Sequence, residues 1–307
     1  MLSLACWNVD LTTRVARLPL PGETVLGDAF AIGPGGKGSN VAVGAARLGA
    51  QVEIVARLGD DEFGRRALPF WCSEGIACTF TEVAPGEPNA VASILVSDDG
   101  QNSIAVFRGA GFRLGAALVR AARPAFERAA IVTMPLELQD EAIGAALSLA
   151  RECGVRTLLN PAPARSLPAP WLGAIDVLTP NAIEARQLCG LAADAPATPQ
   201  ELGQRLLERG VGAVVMTCGA EGAWVFESGH APLPIPAVAV HTVDTVGAGD
   251  AFNAGLAVAL AEGAALCDAA RFANAAAALA TTREGAAAAM PWRNEVEQLF
   301  NTERQSR

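Results

Sequence analysis

The chain has 307 residues, 51% of them apolar, with 31 glycines and a formal net charge of −9. That length and apolar content suit one large α/β core in a single domain spanning 1–307. The acidic balance, with no basic patch to offset it, argues against a nucleic-acid or anionic-membrane partner, and no run of about 18 uncharged apolar residues suggests a membrane span.

The opening MLSLACWNVD lacks the basic region and long apolar run of a signal peptide, so a cytoplasmic location is expected. Residues 2–9 read as a short buried strand ending at Asn8 and Asp10, at the carboxyl edge of a sheet, where open α/β sheets place their ligands. The segment 11–32 carries Pro–Gly turn chemistry between short alternating runs, which predicts hairpin strands outside the main sheet. GPGGKGSN then opens a helix, followed by a strand over 51–58 and a helix over 61–74. From Cys78 to Arg108 the chain reads as a β-meander, and together with 11–32 it predicts a small sheet serving as a lid, with boundaries near 11–32 and 78–110.

After that the rhythm is strand then helix: AAIVTMPL and EAIGAALSLARECG, VRTLLN and the PAPAR loop, AIDVLTP and NAIEARQLCG. A helix at 199–209 leads to GAVVMTCG, a hairpin over 223–240 and a set of Ala-rich helices. Such alternation predicts a doubly wound, mostly parallel central sheet with helices on both faces. The seven cysteines show no CxxC pair and fit reduced, mostly buried thiols. His230 and His241 flank a Pro-rich segment without a nucleophile motif and read as surface or strand positions.

The stretch VDTVGAGDAFNAG, residues 243–255, organises the rest. Gly247 and Gly249 can take backbone angles closed to other residues. A helix starting near Asp250 would aim unpaired N–H groups and its positive dipole end at the loop, making an anion cradle. An aspartate beside such a cradle repels the anion, so a base is the better reading of Asp250. A second signal is the single lysine among 23 basic residues, Lys37, inside GPGGKGSN. A crowded loop that keeps one lysine suggests a site for a compact ammonium that a planar guanidinium would not fit; chance retention is the alternative. Polar residues also recur where predicted strands end: Asn8, Asp10, Lys37, Asn40, Glu137, Asn160, Asn181, Glu184, Thr217, Gly219 and Asp250. In a doubly wound sheet those edges converge on one crevice.

NVD, GGKGSN, MPLE, NPAPAR, TPN with Glu184 three positions after the Asn, TCGAEG, DTVGAGD and FANAAAALA resemble, in order and spacing, the ribokinase branch of the PfkB carbohydrate kinase family over essentially the whole chain. The resemblance implies ATP-dependent phosphorylation of the 5-hydroxyl of D-ribose. Asp250 would be the general base, with Gly247, Ala248 and Gly249 as the anion hole. Asn8, Asp10, Gly36, Lys37, Asn40 and Glu137 would hold the sugar. ATP would lie over Thr217, Cys218, Gly219, Ala220, Glu221 and Gly222, with Gly249 and Asn181 near its phosphates and Asn274 near base and ribose. Glu184 would order Mg²⁺ through water. Asp244 and the carbonyls of Val246, Ala280, Arg283 and Gly285 would hold a monovalent cation, usually K⁺, in a site that also includes position 289. A homodimer through the lid is implied as well.

Asn181 and Glu184 have a second explanation, because N-x-x-E before an apolar helix is a capping box. The chain also departs from the family's pattern. Ala182 stands where an acidic residue usually follows the Asn, Ala289 where a serine is common, and RGAGFRL puts Gly111 and Phe112 in place of a GAN-type lid segment. The competing expectations are a related kinase for fructose, deoxyribose, a keto-deoxy acid or a nucleoside, and a non-catalytic sugar or nucleotide sensor.

Overall fold

Every residue of the first strand, β1 (Leu2–Ala5), is buried, because it lies inside a nine-stranded sheet covered on both faces. The computed structural model describes residues 1–305. The later strands are β2 (Asn8–Val15), β3 (Gly27–Gly35), β4 (Glu53–Gly59), β5 (Ala77–Ala84), β6 (Ala90–Ser97), β7 (Asn102–Phe107), β8 (Ile131–Pro135), β9 (Arg156–Asn160), β10 (Val177–Leu178), β11 (Ala213–Thr217), β12 (Ala223–Glu227) and β13 (Leu233–Ile235). The helices are α1 (Lys37–Arg47), α2 (Ala67–Ser73), α3 (Ala116–Ala121), α4 (Arg123–Arg128), α5 (Asp140–Cys153), α6 (Ala169–Leu172), α7 (Ala182–Leu188), α8 (Pro199–Glu208), α9 (Ala248–Ala261), α10 (Leu266–Ala280) and α11 (Arg293–Gln305).

The central sheet runs β13-β12-β11-β10-β9-β8-β1-β4-β5, parallel from β11 to β5, with β12 and β13 antiparallel at one edge. Period-two alternation splits its side chains between two cores. Ile54, Ala56 and Leu58 of β4 join the core under α1, α9 and α10, whereas Val55 joins the one under α3, α5 and α8. Helix α9 is buried from Asp250 through Leu260, packed between α1 and α10, which explains why AGDAFNAGLAVALA is apolar all round. A second sheet runs β3-β2-β6-β7, with β2 and β6 parallel and the other pairs antiparallel.

Two expectations about the small sheet change. Asn8 and Asp10 do not end the first strand of the central sheet: the chain leaves that sheet after Ala5, and both residues begin β2 of the small one. Residues 77–84 are not part of the small sheet either. They form β5, the central sheet's edge, parallel to β4 and flanked by α2 and α3. An edge strand that is only partly buried reads like a strand of a solvated lid, so the pattern alone could not separate them.

All seven cysteines are free thiols, and His230 and His241 are exposed. Among the described residues no helix is long and apolar enough to cross a membrane.

Candidate active site

Close packing of glycines against β1 and β2 brings the start of α1 to Asn8 and Asp10. Gly36 has φ +96°, and a Cβ there would lie 2.0 Å from the Cys6 carbonyl oxygen, so no side chain fits. At Gly35 a Cβ would lie 2.4 Å from Asp10 Oδ1. Asn8 Nδ2 donates to Asp10 Oδ1 at 3.2 Å.

Lys37 is the first residue of α1, and its backbone N–H donates to Glu137 Oε2 at 2.9 Å, from the loop after β8. One turn on, Asn40 Nδ2 donates to Asp250 Oδ2 at 2.8 Å, across 210 positions of sequence. The Lys37 ammonium is held above the usual lysine range, first by Asp250, then by Glu137, Glu184 and Asp10, against its own burial. Four carboxylates from the small sheet, the β8 loop, α7 and α9 thus face one cation.

Burial raises the Asp250 carboxyl, and Lys37 and the Asn40 hydrogen bond oppose it. Asp10 and Glu184 are raised by burial too, and Glu137 is pushed up to about 7, again mainly by burial. A proton held to about pH 7 in the folded chain but only to about 4.5 in the unfolded one makes stability fall as pH rises through that window. Melting temperature should therefore drop between roughly pH 5 and pH 7, and Glu137→Gln should flatten the drop without abolishing it, since Asp10, Asp250 and Glu184 shift the same way. Equal slopes in both proteins would remove Glu137 as the titrating group.

The predicted cradle residues lie at the start of α9. Gly247 takes φ +77° as its N-cap, and a Cβ there would meet Ala286 Cα at 2.8 Å. Gly249 differs from expectation, because it is helical rather than left-handed. A Cβ on it would meet no protein atom within 4 Å, so its face is open. The Ala248 N–H is occupied by the Thr245 carbonyl at 3.2 Å, which leaves the first-turn N–H groups of Gly249 and Asp250 without a backbone partner among the described residues. Asp244 secures the loop from behind, with Oδ1 accepting from Val246 N at 3.0 Å and Oδ2 from Gly285 N at 2.9 Å.

Asn181 and Glu184 form the expected capping box. Asn181 Oδ1 accepts from Ile183 N (2.9 Å) and Glu184 N (2.8 Å), and Glu184 Oε2 accepts from Asn181 N (2.8 Å). Thr217 N donates to the Pro180 carbonyl at 3.0 Å, so the Thr217–Gly222 turn stands beside Asn181. That turn is a short 3-10 segment over Gly219–Glu221, closed by Cys218 N on the Gly222 carbonyl at 2.7 Å. Asn274 Nδ2 donates to the Pro236 carbonyl at 2.7 Å.

Of the predicted cation ligands, Asp244, Val246 and Gly285 are held together by the two Asp244 hydrogen bonds. Ala289 is buried in a 3-10 turn with no side-chain oxygen to offer, and the Arg283 guanidinium, whose residue was expected to contribute only its carbonyl, forks onto Glu295. Among the described residues no three His, Cys, Asp or Glu side chains lie at metal-holding spacing. The Gly111 departure has a packing reason: a Cβ there would lie 2.6 Å from Cys6 Sγ. Beside it, Phe112 stacks under the Arg108 guanidinium at 4.4 Å.

Thr179 and Asn253 are two further buried polar side chains behind the site, outside the polar positions at predicted strand ends. Their signal was available, since Asn253 is the one amide in the otherwise apolar run AFNAGLAVALA.

The pfkB family carbohydrate kinase model matches residues 2–293. The chain belongs to this family. A carbohydrate kinase is a phosphotransferase with an alcohol acceptor. The chain is 35% identical to the ribokinase of Haemophilus influenzae over 94% of either protein. It is also 35% identical to a deoxyribokinase of Salmonella typhi over 80% of either. The structure of Arabidopsis thaliana ribokinase complexed with ribose and ATP superposes with a TM-score of 0.86 at 30% identity, covering 97% of both chains. The doubly wound sheet with a separate small sheet is thus a ribokinase fold.

Proposed function

We propose that this carbohydrate kinase transfers the γ-phosphoryl group of ATP to the 5-hydroxyl of D-ribose, with Asp250 as general base. The observation that carries the reading is the buried Asp250 at the head of α9, held by Asn40 and facing Lys37. Burial makes Asp250 a stronger proton acceptor than a solvated aspartate. It takes the hydroxyl proton while the sugar oxygen bonds to the γ-phosphorus and the bond to the β-phosphate oxygen breaks, releasing ADP. Gly249 and Asp250 N–H groups meet the charge on the γ-phosphoryl oxygens, and the Lys37 ammonium adds a compact positive charge.

Asn8, Asp10, Gly36, Lys37, Asn40 and Glu137 hold the sugar. Asn40 Oδ1, buried and without a hydrogen-bond partner among the described residues, is positioned to accept from a sugar hydroxyl. The nucleotide lies over Thr217–Gly222, beside Asn181 and towards Asn274. Bound Mg²⁺ would neutralise charge on the phosphate oxygens, and the Glu184 oxygen not engaged by Asn181 fits a water-mediated role with such a hard ion. The all-oxygen donor set at Asp244, Val246, Ala280, Arg283 and Gly285 suits K⁺, with one oxygen fewer at Ala289. The small sheet serves as the lid, the protein works in the cytoplasm, and it dimerises through the exposed Phe30, Ile32, Ile104, Val106 and Phe107. Equilibrium sedimentation should give a dimer; monomer alone would refute this contact.

Incubation with ATP, Mg²⁺, K⁺ and a panel of pentoses, hexoses and nucleosides tests the reaction. Ribose should be the preferred acceptor. Turnover of deoxyribose or fructose but not ribose would leave a sugar kinase of another specificity, the reading that the Gly111 and Phe112 departures favour. No ATP turnover with any acceptor would favour a sensor. Lys37→Arg keeps the charge but should lower kcat by about tenfold or more through misfit; a kinetically silent change would return Lys37 to chance retention.

A further inference from the structure

Behind the cradle, a buried hydrogen-bond chain joins two elements that the backbone does not connect. Asn253 and Thr179 are 3% and 4% exposed. The Thr179 hydroxyl donates to Asn253 Oδ1 at 2.6 Å, and Asn253 Nδ2 donates to the Gly249 carbonyl at 2.7 Å. The Gly249 carbonyl can only accept, which fixes the amide's orientation and requires the Thr179 hydroxyl to donate. Thr179 is itself anchored to the sheet by its backbone N–H on the Leu159 carbonyl at 3.0 Å.

The placement gives this chain its meaning. Thr179 follows the two-residue strand β10 and stands two positions before Asn181, cap of the helix that carries Glu184. Asn253 lies one turn after Asp250, and the carbonyl it grips belongs to the cradle residue Gly249. We propose that Thr179 and Asn253 are positioning residues. They hold the base-and-cradle half of the site, at the start of α9, at a set distance from the half at Asn181 and Glu184. Phosphoryl transfer relies on positioning and electrostatics more than on covalent chemistry, so the link acts on the rate of transfer rather than on binding of either substrate. This rests on the kinase reading above.

Thr179→Val is nearly isosteric, removes the donor and strands Asn253 Oδ1. With the sugar that the wild type turns over best, kcat should fall about 10- to 100-fold while both KM values stay within about threefold. Thr179→Ser, which keeps the hydroxyl, should restore kcat to within about threefold of wild type. A Thr179→Val kcat within about twofold of wild type, a loss confined to KM, or a Ser variant as impaired as Val would each overturn the positioning role. Should Thr179→Val show no cooperative melt, Asn253→Asp gives the second reading. Its carboxylate still accepts from Thr179 but cannot donate to Gly249, so kcat should fall to a similar extent, and a wild-type kcat would refute the role. A wild type that phosphorylates no sugar overturns the kinase reading itself, whereas an active wild type with a silent Thr179→Val overturns only this inference.

Discussion

Asp250→Ala should leave a folded protein that binds sugar and no longer turns it over, with kcat reduced by about 10²- to 10⁴-fold. The methyl group cannot accept a hydroxyl proton, while Asn8, Asp10, Asn40 and Glu137, the residues proposed to hold the sugar, remain in place. The change also relieves Lys37 of its strongest acidic neighbour, so the ammonium should titrate closer to its ordinary range. Isothermal calorimetry with the sugar, beside a steady-state assay, separates the two effects. Retention of a near-wild-type kcat would rule out Asp250 as the base.

Gly249→Ala should produce the second large effect, and it separates catalysis from stability. Gly249 is helical and its Cβ would meet no protein atom within 4 Å. The folded protein should therefore be as stable as wild type or more so, by up to about 1 kcal/mol from the alanine's helix propensity. The same methyl group would stand where the γ-phosphoryl oxygens approach, and kcat/KM for ATP should fall by about 10²-fold or more. Gly247→Ala makes the contrast. That position needs φ +77°, and the new Cβ would run into the backbone of Ala286 at 2.8 Å. Both melting temperature and activity should drop. If Gly249→Ala lost stability as much as Gly247→Ala, or kept full activity, the cradle would not lie where the start of α9 places it.

The alternation after residue 129 was legible because each buried parallel strand is a short apolar run punctuated by turn residues, and each helix shows a 3.6-residue period. The capping box at Asn181 was legible for a local reason too, since its partners are three positions apart. What escaped was sheet membership. β5 and the strands of the small sheet are all largely exposed or only partly buried, and only the pairing of β5 with β4 assigns it to the central sheet. The strand that carries Asn8 and Asp10 was not legible, because the turn through Cys6 and Trp7 carries neither Gly nor Pro.

By itself the sequence determined the residue types of the site: one lysine, a glycine loop ahead of an aspartate, and short amides and carboxylates at strand ends. Those depend on local backbone needs and chemical identity, which are written position by position. Tertiary structure alone decided that Lys37 faces Asp250, Glu137, Glu184 and Asp10, that Asn40 bonds Asp250, and that Thr179 reaches Asn253. The Asn40–Asp250 pair alone joins residues 210 positions apart. The distances and shifted acidities of these pairings arise from burial and close approach, which exist only once the sheet edges have converged.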